Sequence, residues 1–592
     1  MLNYLHDFSF VLDRDWSKLP SVLLLVLFSA SLDLIGISLV VPLVASLDPH
    51  NVVLLRRHLP ATLDALVGRL DARQLFGLLG GIIIVVFAAK AVAAYTVQRR
   101  ITAFAEDRRT HLAERLLSAY LASPLEFHLR ADAARMQNAA TLLVRTFADS
   151  VLSASLRMFA DGFMTLSIVA LLAVAQPLAV ALLVLIMAAV AYGYARLLRR
   201  AADRRARRLW SASDASLKIF RQSMGSIKET VVLGVESYFV RRFSEYARIE
   251  GNNRAVLSAI QILPRFVIEL ALVSFLVLFT AIAFATGHSP QELLPVLGMF
   301  AFAGLRLLPA TNSLMSNWSS VRNNFEVLTR LAAELRETAI SPLQPDRNDI
   351  EPLMLGEIRF DKVSYLYPAT TTAAINELDI ILRPGEALGV VGRSGAGKTT
   401  LADLLLGLLQ PTSGQITMSG QSIALLGRRW RNVLAYIPQD VYLIDSSLRS
   451  NIAFGMSDEE IDESRLREAC AIAQLDQLLS ELPEGIETRL GERGVRLSGG
   501  QRQRVAIARA LYHKRQLIVM DEATAALDYD TEREVISNIQ GLQGRCTLLI
   551  IAHRLSTLEA CNRVIKLERG RLTESGSYAQ VVLQGVQDAS LS

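Results

Sequence analysis

The feature that most constrains the fold of this chain is a long stretch without charge. No Asp, Glu, Lys or Arg occurs from Gly162 to Ala195, and Gln176 and Pro177 interrupt the stretch near its middle. A single helix needs about 20 apolar residues to cross roughly 30 Å of hydrocarbon. The stretch is therefore predicted to form two membrane-spanning helices that are joined by a tight, uncharged turn.

Four further apolar runs have the length of a membrane span, which brings the predicted total to six. A buried globular core can explain one such run, but six runs in a chain that is 51% hydrophobic favour a membrane domain. We expect an all-α transmembrane domain of six helices over residues 1–337. The four runs are Pro20 to Leu47, Leu75 to Gln98, Leu263 to Thr286 and Leu293 to Ser320.

The positions of the arginines predict how these spans are oriented. The long segments from Arg99 to Arg145 and from Arg196 to Arg254 are rich in arginine, whereas the turns near Gln176 and His288 contain no Lys or Arg. Loops rich in Lys and Arg face the cytoplasm. We thus expect a multi-pass protein of a bacterial-type inner membrane, with spans that continue as helices into the cytoplasm. The same bias explains the net charge of +5 and argues against nucleic acid as a partner.

A segment with three prolines separates the membrane domain from a soluble domain. Residues 338–357 contain Pro342, Pro345 and Pro352 together with several acidic residues and little apolar content, which is typical of an exposed linker. Residues 358–592 are expected to form an α/β P-loop nucleotide-binding domain, on the cytoplasmic side, because they contain a phosphate-binding loop.

That loop lies in EALGVVGRSGAGKTTLADLLLGLL, which is typical of a buried strand, a glycine-rich turn and a helix. Glycines let the N–H groups of the turn point at phosphates, and the positive end of the helix faces the same anion. Lys398 is suited to the β- and γ-phosphates, and the Thr399 hydroxyl to Mg²⁺. The predicted ATP-binding residues here are Gly392, Arg393, Ser394, Gly395, Ala396, Gly397, Lys398, Thr399 and Thr400.

An acidic pair follows a second apolar strand. Leu517 to Met520 precede Asp521 and Glu522, as expected for a buried parallel strand that ends near a nucleotide. Asp521 is therefore expected close to the metal ion. A purely structural acid pair is the alternative, and the glycine loop argues against it.

The residues LSGGQ, from Leu497 to Gln501, lie between the glycine loop and the acidic strand. In this order the motifs resemble those of the ATP-binding cassette (ABC) family, and with six preceding spans the chain resembles an exporter-type half-transporter. The resemblance implies that Ser498, Gly500 and Gln501 contact ATP that is held by a second cassette. The simplest partner is a second copy of the chain, and alternating access is the implied mechanism.

The resemblance also assigns roles to four residues outside the glycine loop. Glu522 would polarise the attacking water, and His553 would contact the γ-phosphate. Gln439 would contact Mg²⁺, which gives Thr399, Gln439 and Asp521 as the implied metal-binding residues. Tyr367 would stack on adenine, although a tyrosine of the core or of an edge strand is the alternative.

Three basic residues lie in or near the predicted spans, where a cation costs about 2.5 to 3.5 kcal/mol and needs a partner or a function. They are Lys90, Arg265 and Arg306. Glu269 lies one helical turn after Arg265, so an internal ion pair is an alternative there. If the three cations line a cavity, they would suit an anionic cargo such as a pyrophosphate.

A narrower resemblance concerns the cargo. Asp33 and the VVP motif of the first span, the amphipathic segment from Val52 to Leu70, and SIKETVVLGVESYF resemble the lipid-linked oligosaccharide flippases of the PglK type. This implies a lipid-linked oligosaccharide or a similar anionic amphiphile as cargo. The alternatives are a multidrug, lipid A or peptide exporter with a more apolar cavity and, from a different class, an ATPase that acts as a mechanical clamp.

Overall fold

The computed structural model describes residues 2–12, 19–45, 72–286, 290–338, 353–368, 370–523, 537, 546–552 and 554–583. The predicted outer segment 52–70, His553 and residues 339–352 of the predicted linker lie outside these ranges. The chain divides into two compact units. The membrane unit comprises Met1–Ser123 and Asp132–Leu343, and the cassette unit comprises Pro124–Ala131 and Gln344–Ser592.

Each of the six predicted apolar runs lies largely within a long helix. Two stretches between them, Ala139–Leu143 and Phe147–Leu152, are π-helical. Up to residue 337 the α-helices are α1 Leu2–Leu12, α2 Leu19–Ala45, α3 Ala72–Ala122, α4 Leu125–Arg130, α5 Ala133–Asn138, α6 Val144–Thr146, α7 Ser153–Ala175, α8 Pro177–Gly225, α9 Ile227–Leu233, α10 Glu236–Ala285, α11 Pro290–Asn323 and α12 Phe325–Glu337.

Within the described ranges, three helical segments are long and apolar enough to cross a membrane: Arg73–Ala122, Ala133–Val174 and Glu236–Ala285. Two shorter apolar stretches are Leu24–Leu39 and Pro177–Ala189. The helices α3, α8 and α10 each extend well beyond their apolar part, as the arginine-rich segments predicted.

The predicted tight turn in the uncharged stretch is one residue long. Helix α7 ends at Ala175, Gln176 has the non-helical angles φ −145° and ψ 75°, and α8 begins at Pro177. Proline is well suited to the first helical position because its missing N–H would have no partner there. Pro177 therefore ends one helix and starts the next.

The last helix of the membrane unit, α12, is amphipathic. Leu328, Leu331 and Leu335 recur at helical spacing, and all three are buried. Helix α1 packs along α12: Asp7 accepts a hydrogen bond of 2.6 Å from Arg336, whose guanidinium lies 4.9 Å from the centre of the Phe10 ring. The N-terminal helix thus fixes the end of the membrane unit.

The cassette unit contains two sheets. One is antiparallel, in the order β2-β1-β4-β5, and the other is mostly parallel, in the order β10-β9-β3-β8-β7-β6, with only β10 antiparallel to its neighbour. An α-helical domain followed by an α/β domain is the predicted fold class, which is confirmed. The strands are β1 Ile358–Tyr365, β2 Ile375–Leu382, β3 Ala387–Val391, β4 Ser413–Met418, β5 Gln421–Ser422, β6 Leu434–Ile437, β7 Leu517–Asp521, β8 Thr547–Ile551, β9 Arg563–Glu568 and β10 Arg571–Gly576.

The helices of this unit lie in the connections between its strands. Strand β7 is buried along its whole length, which explains its unbroken apolar sequence. The helices are α13 Lys398–Leu405, α14 Ile423–Leu426, α15 Arg428–Arg431, α16 Leu448–Ile452, α17 Glu463–Ile472, α18 Asp476–Glu481 and α19 Gly499–Tyr512.

One short helix belongs to the cassette unit although it lies far upstream in the sequence. Leu125, at the start of α4, packs against the core that the antiparallel sheet shares with β3 and β7. Burial and then the charge of Glu126 raise the pKa of Tyr365 on β1 to about 12. The sequence contains no pattern that predicted this membership, because α4 is short and its partners are more than 200 residues away.

Candidate functional site

The glycine-rich loop connects the end of β3 to the start of α13, and its backbone leaves no room for side chains at two positions. A Cβ at Gly392 would lie 2.4 Å from the Leu567 carbonyl oxygen, and one at Gly397 would lie 2.4 Å from that of Ala374. Gly397 also has φ +101°, which L-residues rarely adopt. The conformation of the loop therefore requires glycine at both positions.

Lys398, the first residue of α13, is buried inside this loop. Its Nζ donates hydrogen bonds to the carbonyl oxygens of Gly392 at 2.9 Å and Arg393 at 3.3 Å. A cation held beside the N-terminus of a helix is suited to a phosphate group. The predicted pairing of Lys398 with the glycine loop is therefore present in the fold.

The two acidic residues lie at the carboxyl end of β7. Asp521 is buried, and burial raises its pKa, as does the charge of Glu522, while a hydrogen bond from Thr399 and the charge of Lys398 act in the opposite direction. A carboxylate and a hydroxyl are oxygen ligands of the kind that Mg²⁺ prefers. The chemistry of this donor set therefore fits the ion that the sequence predicted.

Glu522 has an unusual backbone for a non-glycine residue, with φ +51°. Its N–H donates to the Ile551 carbonyl at 2.9 Å, and its side-chain Oε2 accepts a hydrogen bond of 2.6 Å from Gln439 Nε2. The structure thus brings together Gln439 and Glu522, which are predicted from separate motifs.

Tyr367 lies directly after β1 and is half-buried. Its hydroxyl is 3.2 Å from the Thr400 hydroxyl, and its ring meets that of Tyr365 edge-on at 4.9 Å. The residue predicted to stack on adenine is therefore next to the phosphate loop.

The LSGGQ segment forms the start of α19. Ser498 is the N-cap: its hydroxyl accepts from the Gln501 N–H at 3.2 Å, and the Gln501 side chain accepts from the Ser498 N–H at 2.8 Å. This reciprocal pair is a capping box, which satisfies two backbone donors that a helix start leaves without partners. Ser498 and Gly500 thus lie at the start of a helix.

The membrane unit contains a cavity of about 520 Å³ with an unusually charged wall. Its charged lining residues come from four helices, and they include two of the three cations predicted to face the cargo. They are Asp33 on α2, Lys90 on α3, Arg157 and Asp161 on α7, and Arg306 on α11.

Asp33 interacts with two of the cations in this wall. It is buried and forms a salt bridge with Lys90, and its Oδ1 lies 3.7 Å from Arg306 Nε. Both cations also lie over the face of the Phe87 ring, Lys90 at 5.6 Å and Arg306 at 5.0 Å from its centre. Lys90 and Arg306 therefore have a shared counter-ion, which the sequence reading did not identify.

Arg265 is not among the residues that line this cavity. It is exposed on α10, and within the described part of the chain no ion pair joins it to Glu269. The structure therefore brings together two of the three predicted cations.

Sequence reasoning missed Arg157 and Asp161 on α7. Asp161 accepts a hydrogen bond from Ser313, which links α7 to α11 across the cavity wall. Asp161 is the last residue before the uncharged stretch that begins at Gly162, and Arg157 lies one helical turn earlier, so neither falls within a predicted span.

A second cavity of the membrane unit is apolar and has a volume of about 350 Å³. It lies among α7, α8, α10 and α11, with Val169, Leu183, Leu272 and Leu307 in its wall. Helices α7 and α11 line both cavities, and on α11 Leu307 of the apolar cavity directly follows Arg306 of the charged one.

Two family models match the chain, and both describe ABC transporters. The model of the ABC transporter transmembrane region covers residues 23–303, and the ABC transporter model covers residues 375–525. The solved structure of a bacterial Atm1-family ABC exporter with ATP bound aligns over 97% of both chains with a TM-score of 0.77. Its sequence identity of 22% supports the fold alone.

Curated relatives have the same arrangement over most of their length. The ATP-dependent lipid A-core flippase of Ralstonia nicotianae is 30% identical over 85% of this chain and 84% of its own. That of Cupriavidus metallidurans is 34% identical over 64% of each chain. The chain is thus a multi-pass protein of a bacterial-type inner membrane with a cytoplasmic cassette. Because it has both the transmembrane region and the ATP-binding domain, it belongs to the ABC transporter family, as an exporter-type half-transporter that couples ATP hydrolysis to transport.

Proposed function

We propose that two copies of this chain form a homodimer that moves an anionic glycolipid, of the lipid A-core class, across the inner membrane by alternating access. The observation that carries this proposal is the charged cavity of the membrane unit. This cavity inside a membrane domain is lined by three cations, Lys90, Arg157 and Arg306, against the two acids Asp33 and Asp161, and the excess of positive charge is suited to a phosphorylated headgroup. The name of the relatives supports the lipid class.

The nucleotide site would be assembled by residues of both copies. Lys398 and the glycine loop would hold the phosphates, while Thr399, Asp521 and Gln439 would hold Mg²⁺, which neutralises phosphate charge when bound. Glu522 would orient and polarise the attacking water. Ser498, Gly500 and Gln501 would contact the nucleotide of the other copy, and His553 and Tyr367 keep their predicted roles.

An exposed apolar helix supports a second copy as partner. Helix α9 and the two residues after it expose Val231, Val232, Leu233 and Val235, with Val232 83% exposed. Helix α9 lies between the long cytoplasmic extensions of α8 and α10, where lipid would not cover it. A protein surface is the occupant that such a patch favours.

The test uses the full chain in proteoliposomes with lipid A, a polyprenyl-pyrophosphate glycan and a hydrophobic amine. We expect lipid A to stimulate ATP hydrolysis and to be translocated. Replacing Lys90, Arg157 and Arg306 together with Gln should abolish translocation while ATP hydrolysis in detergent remains. Arg254→Gln, on the cytoplasmic part of α10, is the control and should behave like the wild type.

The other outcomes separate the cargo classes. Translocation of the pyrophosphate glycan but not of lipid A would favour a lipid-linked oligosaccharide as cargo. This is the cargo that the narrower sequence resemblance implies. Unchanged lipid A translocation in the triple variant would contradict the role of the cations.

A second candidate function is export of an apolar compound, which the apolar cavity of about 350 Å³ favours. An apolar lining selects ligands by burial of their surface rather than by charge. In that case the hydrophobic amine should stimulate ATP hydrolysis, and Leu183→Trp in the apolar cavity should abolish the stimulation, while the triple cation variant should retain it.

A further inference from the structure

A buried carboxylate lies on α12, although Glu is rarely buried without a specific partner. Glu334 is 6% exposed, and both of its oxygens accept hydrogen bonds. Tyr120 Oη donates to Oε2 at 3.2 Å, and Arg135 Nε donates to Oε1 at 2.5 Å. Arg135 Nη2 also donates to Glu337 Oε2 at 2.6 Å. These four residues are called the Glu334 cluster.

The members of the Glu334 cluster lie close in sequence to every point at which the chain passes between its two units. Tyr120 is near the end of α3, just before the chain leaves the membrane unit at Ser123. Arg135 is near the start of α5, just after the chain returns at Asp132. Glu334 lies in the last turns of α12, before the membrane unit ends at Leu343.

The contacts in this cluster are of a strong and directional kind. Charge-assisted hydrogen bonds to a buried carboxylate are stronger than those between neutral groups, because the surroundings screen the charge poorly. Apolar packing alone resists separation of helices but sets their register less strictly. The Glu334 cluster therefore holds the ends of α3 and α12 and the start of α5 at fixed positions relative to one another.

Other contacts on α12 strengthen this junction. Arg336 binds Asp7 of α1, and the Thr338 hydroxyl donates to the Glu334 carbonyl at 2.8 Å. The helix that carries Glu334 is therefore held along more than one face.

We propose that Glu334 is the positioning residue that couples ATP hydrolysis to movement of the membrane helices. Pro124–Ala131 belongs to the cassette unit, so displacement of that unit acts on α3 and α5 through the two ends of this segment, and Glu334 passes the displacement to α12. Glu334 joins these three helices, so they move together. The proposal concerns coupling and holds for any cargo.

The experiment compares Glu334→Gln with the wild type in proteoliposomes that contain lipid A. Basal ATP hydrolysis should persist, because no residue of the nucleotide site is changed. The number of lipids translocated per ATP hydrolysed, and the stimulation of hydrolysis by lipid A, should each fall by roughly fivefold or more, as loss of a coupling free energy of 1 kcal/mol or above predicts. Tyr120→Phe, which removes one of the hydrogen bonds to Glu334, should show the same change to a smaller degree.

Two further variants separate coupling from general stability. The exchange Arg135→Glu with Glu334→Arg restores an ion pair of opposite polarity and should recover part of the coupling ratio. Glu250→Gln breaks the Arg254–Glu250 pair of 2.6 Å within α10, outside the junction, and should leave the ratio unchanged. An unchanged ratio in Glu334→Gln, or a proportional loss of hydrolysis and translocation, would overturn the proposal.

A distance measurement between spin labels needs no cargo, so it tests the role of Glu334 independently of the proposed glycolipid. Val174 is 87% exposed at the end of α7, and Cys470, Cys546 and Cys561 are buried, so Val174→Cys can be spin-labelled selectively. The distance between the labels of two copies should change on addition of ATP in the wild-type background and not in Glu334→Gln. An equal change of the label distance in the wild type and in Glu334→Gln would contradict the role of Glu334. A wild type whose ATP hydrolysis is not stimulated by lipid A would contradict only the proposed cargo.

Discussion

At the scale of single residues, Glu522 combines a strained backbone with a defined hydrogen-bond partner. A left-handed conformation costs a residue with a Cβ roughly 1–2 kcal/mol, and such strain persists where surrounding contacts impose it. Here the backbone N–H donates to the Ile551 carbonyl, and the side-chain carboxylate accepts a hydrogen bond from Gln439. This arrangement holds an acid beside the end of the strand that carries Asp521.

Glu522→Gln should bind ATP but release phosphate at least about 100-fold more slowly than the wild type, since a positioned general base contributes 10² to 10⁴ in rate. The amide can keep the hydrogen bond to Gln439, so the fold should be unaffected. Phosphate release and binding of a fluorescent ATP analogue measure the two effects. Glu459→Gln, at an exposed position, is the control. Rapid turnover in Glu522→Gln would contradict the role of Glu522.

The sequence was sufficient to predict residues whose environment is local. The glycine loop and Asp521 lie at the ends of strands and Lys398 at the start of a helix, so a short pattern predicts both their element and their neighbours. The hydrogen bond between Gln439 and Glu522 was not predictable from spacing, because the two residues are 83 positions apart and meet only through the pairing of β6 with β7.

At the scale of elements, α19 shows how one side chain serves both stability and function. Ser498 caps the helix through Gln501, and the same helix start is predicted to face the nucleotide of the partner. In the single chain, the Ser498 hydroxyl is engaged in the capping hydrogen bond. The positive end of the helix dipole can still attract an anion at the N-terminus.

Two substitutions separate these roles. Ser498→Ala removes the cap, which costs about 1 kcal/mol, and should lower Tm slightly and reduce ATP hydrolysis. Ser498→Asp preserves capping, because Asp is an equally good N-cap, but adds a negative charge that would face phosphate. It should keep the wild-type Tm and lose about tenfold or more of the hydrolysis, from one like-charge contact of 1.4 kcal/mol. Wild-type hydrolysis in Ser498→Asp would indicate that Ser498 only caps.

Element boundaries were predictable where proline or glycine sets them, as at Pro177 and Gly499. The assignment of α4 to the cassette unit was not, because its six residues carry no periodicity that distinguishes a docking helix from a loop. Only the long-range packing of Leu125 against the cassette core shows it.

At the scale of the whole molecule, the charged cavity depends on helices that are distant in sequence. The pair of Asp33 with Lys90 joins α2 to α3, and Arg306 adds α11. A charged residue inside a span predicts that a partner of opposite charge exists. Which residue is that partner depends on how the helices pack. For this reason Lys90 and Arg306 were identified from the sequence and Asp33 was not recognised as their counter-ion.

An anionic headgroup that binds Lys90 and Arg306 must compete with Asp33 for them. Asp33→Asn should therefore lower the half-saturating concentration of lipid A for stimulation of ATP hydrolysis roughly fivefold, a change of about 1 kcal/mol. It should also destabilise the protein without lipid, because a buried cation loses its partner. The rise in Tm on addition of lipid A should then be larger than in the wild type.

Ser38→Ala, on the same helix, is the control for this experiment, since Ser38 is exposed and its hydroxyl donates to the Ile35 carbonyl of its own helix. Weaker lipid A stimulation in Asp33→Asn, with a smaller rise in Tm, would show that Asp33 assists binding rather than opposing it.

The turn between α7 and α8 consists of Gln176 alone, and this limits what the outer face of the protein can display. A loop of one residue has no slack, so an epitope inserted there would have to unwind the last turn of one helix or the first turn of the next. External proteases need an extended segment of chain, and this connection offers them none. On the side of the membrane opposite the cassette, α7 and α8 therefore form a closed hairpin that offers no loop for another protein to bind.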